Sequence, residues 1–149
     1  MPEYLLWAEQ QIAGGAMLVS REAVVEVGRV ITGAQFYYHS CGQVFQAAVA
    51  LASAGTEPTV PAVAYLMDAE GTLDDVGGAP ALVDMTWTAM DFATRGCMLA
   101  NAGVVAEWAA RRAVVAEAQE SVREAFTGRR RLAIVPRHLR TDHNDLEAV

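Results

Sequence analysis

The sequence predicts an all-α fold: a compact bundle of about five short helices followed by one long helix. Three observations lead there. Apolar residues recur at three-, four- and seven-residue steps along most of the chain. Helix-starting residues (Ser20, Thr32, Ser40, Thr59) and helix-stopping glycines (Gly55, Gly71) punctuate that pattern at intervals of a helix length. No segment alternates apolar and polar residues as a strand does, and the apolar run at 132–135 is too short to demand one. A length of 149 residues with 53% hydrophobic side chains suits one domain with a sizeable core.

Each element follows from local chemistry. A first helix over residues 4–19 carries Leu5, Leu6, Ile12, Ala16 and Met17 on or near one stripe. Gly14-Gly15 inside it lowers helix propensity by roughly 1 kcal/mol per glycine, which points to a close helix crossing. Ser20 is a good N-cap for a second helix over 21–30, ended near Gly33. Thr32 and Gln35 have capping-box spacing and start a short turn carrying Phe36 and Tyr37. Ser40 is expected to cap a helix over 41–54, with Val44, Ala48 and Leu51 in one row and Phe45, Val49 and Ala52 beside it. Gly55 closes it. Thr59 caps the next helix, which tolerates Pro61 in its first turn and ends near Gly71. Leu73 and Val76 are apolar pegs in a connection. Gly77-Gly78 then turns the backbone, and Pro80 suits the start of a helix carrying Ala81, Leu82, Met85 and Trp87. Small residues leave 89–103 ambiguous. A long helix follows over 101–126, with Val105, Trp108, Val115, Val122 and Phe126 at helical steps. The resulting organisation is a globular part over 1–100, a long helix over 101–127, and an arginine-rich tail over 128–149 that is expected to be flexible.

Composition excludes several functions. Residues 1–126 carry 15 acids and 6 arginines, so the body repels phosphate backbones. The chain has no lysine. The glycine pair therefore lacks the residue a Walker loop needs to reach phosphates, and no strand precedes it as a dinucleotide fold requires. Schiff-base chemistry is excluded for the same reason. His39 and Cys41, with Cys97 far away, fall short of four organised zinc ligands. His39 reads instead as a residue of a helix start and Cys41 as a small buried apolar one. Asp74 and Asp75 could serve as acid and base, but exposed acidic turns are far commoner. No catalytic residue, cofactor or metal is assigned. No run approaches a membrane span, and the N-terminus lacks a secretory pattern, so a cytoplasmic protein is expected. The tail's Arg129, Arg130, Arg131, Arg137 and Arg140 could touch nucleic acid or an acidic partner, although no aromatic side chain accompanies them to stack on bases.

The order of motifs resembles the N-terminal domain of the DnaB-type replicative DNA helicases over about residues 3–113. AEQQIAGGAML is similar to that family's opening. ITGAQFYYHSCGQVFQA resembles its Phe-Tyr turn followed by a helix with a central Phe, here Phe36, Tyr37 and Phe45. GTEPTVPAVAYL resembles its next helix start, and GTLDDVGGAPAL, with acids before a glycine pair, is the closest match. Asn101 and the helix after it resemble the first arm of the family's helical hairpin. Val104-Val105 stand where the family commonly carries a Tyr pair. The second arm is expected to be missing or replaced by the tail, and the family's motor domain has no counterpart in these residues.

The resemblance implies a non-catalytic all-α module for self-association and docking, since this domain forms the helicase collar and is the face primase grips. The expected partners are other copies of the chain, as a dimer or larger, and a replicative helicase or primase. The stripe Val105, Trp108, Val115 and Val122 is the expected seam between copies. Two rival readings remain. One is a DNA-binding accessory protein acting through the arginine tail, which salt-dependent DNA binding would reveal. The other is a small ligand-binding protein or enzyme on the same scaffold, which a pocket with a buried polar cluster would reveal.

Overall fold

The structure, a computed structural model, describes residues 1–128. No strand occurs among them, and six helices carry the architecture: α1 (Glu3–Gly15), α2 (Arg21–Val30), α3 (His39–Ser53), α4 (Val60–Glu70), α5 (Gly78–Ala89) and α6 (Arg95–Thr127). The chain divides into two units, Met1–Ala109 and Ala110–Val149. The division falls inside α6, so the helix expected to stand apart from residue 101 gives its beginning to the globular unit.

Within the first unit, α1 runs through the core, with Leu5, Ile12 and Ala13 fully buried. It crosses α5 closely. A Cβ at Gly14 would sit 2.0 Å from the Met85 carbonyl oxygen, so only glycine permits this approach. Val24, Val27 and Ile31 from α2 and the following bend meet Val44, Phe45 and Ala48 of α3 in the same core. Val63 and Met67 from α4, Leu82 from α5, and Met98, Ala102 and Val105 from α6 complete it.

The caps follow the sequence in most places. Ser20 Oγ accepts from the Ala23 N–H at 3.3 Å, and Thr59 Oγ1 accepts from the Ala62 N–H at 3.3 Å. Gln35 Oε1 accepts from the Thr32 N–H at 2.8 Å, closing the 3-10 turn Gly33–Gln35. Gly77 and Gly78 adopt φ of 101° and 76°, left-handed values that explain the glycine pair before α5. Asp74 and Asp75 form an exposed 3-10 turn, and Val76 is pegged into the core.

Two expectations need correction. First, α3 begins at His39, before Ser40, and its start is held from another helix, as described below. Second, α6 begins at Arg95, not at 101. Thr94 Oγ1 accepts from the Cys97 N–H at 3.2 Å, and the helix runs through Gly96 and Gly103, held by the burial of Met98 and Ala102. Trp87 lies on α5 as expected but is 68% exposed, while Leu82 and Met85 do the packing.

Candidate association surface

The candidate surface is built from α6 and the helix beside its first half. Asn101 Nδ2 donates to Gln11 Oε1 at 2.7 Å, and Trp108 Nε1 donates to Tyr4 Oη at 3.1 Å. The Tyr4 and Trp108 rings are 6.3 Å apart and tilted. These bonds tie the early turns of α6 along α1, with Met98 against Gly15. Tyr4 and Trp7, three residues apart on α1, remain exposed there.

The expected seam of four residues therefore divides. Val105 is fully buried in the core of the first unit and cannot line an outer seam. Its position one turn before Trp108 places it on the packed side of α6. Trp108 is partly buried and hydrogen-bonded to Tyr4. Val115 and Val122, in the second unit, are about half exposed. Val114 and Phe126 join them as open apolar side chains, Phe126 at 89%. Val115, Ala118, Val122 and Phe126 recur at steps of three and four, which sets them on one face of the helix. The arginines Arg129, Arg130, Arg131, Arg137 and Arg140 lie outside the described residues.

Glu9 was not singled out by the sequence, yet it is the one buried charged residue among the described residues. Its two carboxylate oxygens accept from the Tyr37 N–H at 2.6 Å and the Tyr38 N–H at 2.8 Å. A negative group at a helix N-terminus is favoured by the helix dipole, so α1 fixes where α3 starts. The pattern contained a signal. Glu9 lies four residues after Leu5 and three before Ile12, a core position of the α1 stripe. Burial, and then the Glu9 charge, push the Cys41 thiol up to about 12, which keeps it protonated and unreactive.

No cluster of three or more His, Cys, Asp or Glu side chains suited to a metal occurs among the described residues. A cleft of about 260 Å³ between α2 and α3 is lined by Gly28, Ile31, Phe45, Gln46 and Val49 with neighbouring small residues, none of them titratable. On the far side of α2, the Arg95 guanidinium binds Glu26, with Nε to Oε2 at 2.5 Å, and holds that carboxyl below the usual carboxylate range. No helix among the described residues is long and apolar enough to cross a membrane.

Comparison with known proteins agrees with this architecture. The family model for the DnaB-like helicase N-terminal domain matches residues 1–94. The replicative DNA helicase DnaB of Mycobacterium leprae (strain TN) is 32% identical over 127 residues, which cover 85% of this chain and 20% of that protein. The chain thus spans about a fifth of the length of that relative. The crystal structure of the N-terminal domain of DnaB helicase from Mycobacterium tuberculosis superposes with a TM-score of 0.75 at 30% identity, over 83% of this chain and 85% of that one.

Proposed function

The chain belongs to the DnaB-like helicase N-terminal domain family, and on that premise we propose that it is a non-catalytic association module of DNA replication. It associates with other copies of itself through α6 and docks to a replicative helicase or primase.

The observation that carries this reading is the uncovered apolar stripe of α6. From Val114 to Phe126 the helix rises about 18 Å, at 1.5 Å per residue. Along that length Val114, Val115, Val122 and Phe126 stand open. A helical stretch of this size is marginal on its own, because helices in proteins draw most of their stability from burying one face. Three valines, a phenylalanine and their alanine neighbours are also poor choices for a solvated surface. Covering them supplies several kcal/mol at about 25 cal/mol per Å², so a second copy stabilises both the stripe and the helix that bears it. The lack of gathered titratable groups in the cleft between α2 and α3 favours association over chemistry.

Light scattering on the full chain tests the reading. A dimer or larger species is expected at micromolar concentration. Val115→Asp with Val122→Asp is expected to dissociate it while leaving the buried core of residues 1–109 folded, because each substitution places an unpaired charge in an apolar seam. A monomer at every concentration overturns the reading.

A further inference from the structure

We propose that the outer face of α5 and the 3-10 turn after it is a second docking surface, shaped for a basic protein segment that carries large apolar side chains among arginines or lysines. It rests on reading the chain as a docking module, and it adds a site separate from the α6 stripe.

The face is apolar where a solvated helix should be polar. Val83 and Trp87 lie one turn apart on α5, and Met90 and Phe92 continue the run through Met90–Phe92. All four are exposed. The inner face of the same helix is already occupied, with Leu82 and Ala89 buried and Met85 against Gly14, so the core packing of the described residues makes no use of the outer one. An exposed tryptophan flanked by methionine and phenylalanine has the composition of an interface anchor.

Charge decides the kind of partner. Asp84 follows Val83 and lies three residues before Trp87, near the start of this run, and Asp91 follows one residue after Met90. Both are exposed, and neither forms an ion pair among the described residues. Residues 30–94 as a whole carry seven acids and no lysine or arginine. The next cation along the chain, Arg95, is engaged by Glu26. Nucleic acid and anionic lipid are repelled by such a surface. A segment with apolar anchors and flanking cations satisfies both the aromatic side chains and the carboxylates, and its arginines can also stack on Trp87.

The test titrates the full chain with a fluorescein-labelled peptide of repeated Leu-Arg-Arg-Leu units, read by anisotropy, beside a Leu-Glu-Glu-Leu counterpart. Saturable binding of the arginine peptide alone is expected. Trp87→Ala with Asp84→Asn and Asp91→Asn is expected to weaken it by roughly 10-fold or more, as loss of an interface anchor does. Glu57→Gln with Asp68→Asn, which removes as much charge from the same acidic stretch but away from this face, is expected to leave binding within about twofold. All five positions are solvent-facing, and circular dichroism confirms that each variant folds. Equal weakening by both sets shows only diffuse attraction to an acidic body and overturns the proposal. So does an absence of saturable binding, or equal binding of the glutamate peptide. Val115→Asp with Val122→Asp is expected to leave peptide binding unchanged, so failure at α5 and failure at α6 are read separately.

Discussion

Two adjacent glycines offer a sharp contrast. Replace Gly14 by alanine and the new Cβ lies 2.0 Å from the Met85 carbonyl oxygen, 2.5 Å from its carbon and 2.9 Å from the Ala89 Cβ. The obstacle is backbone, so no rotamer change relieves it. Opening the contact with the Met85 oxygen from 2.0 to an ordinary 3.4 Å moves α1 and α5 apart by about 1.4 Å and loosens the packing of Ile12 and Leu82. Overpacking of this kind costs about 1–3 kcal/mol, and the backbone contact places it at the upper end. The gain in helix propensity returns about 1 kcal/mol. The net loss is about 2 kcal/mol, or a melting temperature lower by roughly 8 °C for a chain of this size. Replace Gly15 instead and the Cβ meets only the Met98 thioether at 3.2 Å, a side chain flexible enough to move. Gly15→Ala is therefore expected to match or exceed the wild type. Thermal and urea unfolding followed by far-UV circular dichroism measures both. If Gly14→Ala melts at or above Gly15→Ala, the close crossing of α1 and α5 is wrong.

Two further outcomes are expected from the structure and one from the sequence of the tail. Glu9→Ala strips the acceptors from the Tyr37 and Tyr38 N–H groups and is expected to destabilise by about 3 kcal/mol in urea unfolding, with Glu9→Gln intermediate because it keeps one acceptor; a loss under about 0.5 kcal/mol contradicts the role of Glu9. A thiol-reactive disulfide reagent at neutral pH should label Cys97 in the native chain and Cys41 only after unfolding. Because the Cys41 thiol is raised from 9.0 to about 12, its contribution to stability is fully present below pH 9 and is lost as pH rises toward 12; fast native labelling of both thiols contradicts this. Deleting residues 129–149 is expected to leave the melting transition nearly unchanged, and DNA binding that is steeply salt-dependent and disappears with the deletion would shift the proposed function toward nucleic acid.

Much of the fold was legible because helix boundaries are written in local chemistry. Ser20, Thr59 and the Gly77-Gly78 pair act through their own backbone neighbours, and each did what its residue type predicts. The misread features are those that depend on distant residues. The start of α3 is set by Glu9, 28 residues before Tyr37, and no cap beside α3 announces it. The start of α6 was obscured by Gly96 and Gly103, whose low propensity is overridden by the packing of Met98 and Ala102. Periodicity places Val105 and Val122 on one helix stripe, but it cannot tell which part of that stripe the chain covers for itself. The core takes Val105 and leaves Val115 and Val122 open. The same limit concealed the exposure of Trp87, which carries as much hydrophobic signal as a buried residue.

Hydrogen exchange across a concentration series tests the association of α6 most directly. Amides of residues 110–127 sit in a helical stretch whose apolar side chains are open in the single chain. Exchange there should be fast at low concentration and should slow as a second copy covers Val115 and Val122, while amides of the buried α1 core keep the same protection throughout. The account predicts that protection of residues 110–127 rises steadily from nanomolar to high micromolar concentration and that Val115→Asp with Val122→Asp abolishes the rise. Protection of that stretch that does not depend on concentration would contradict it.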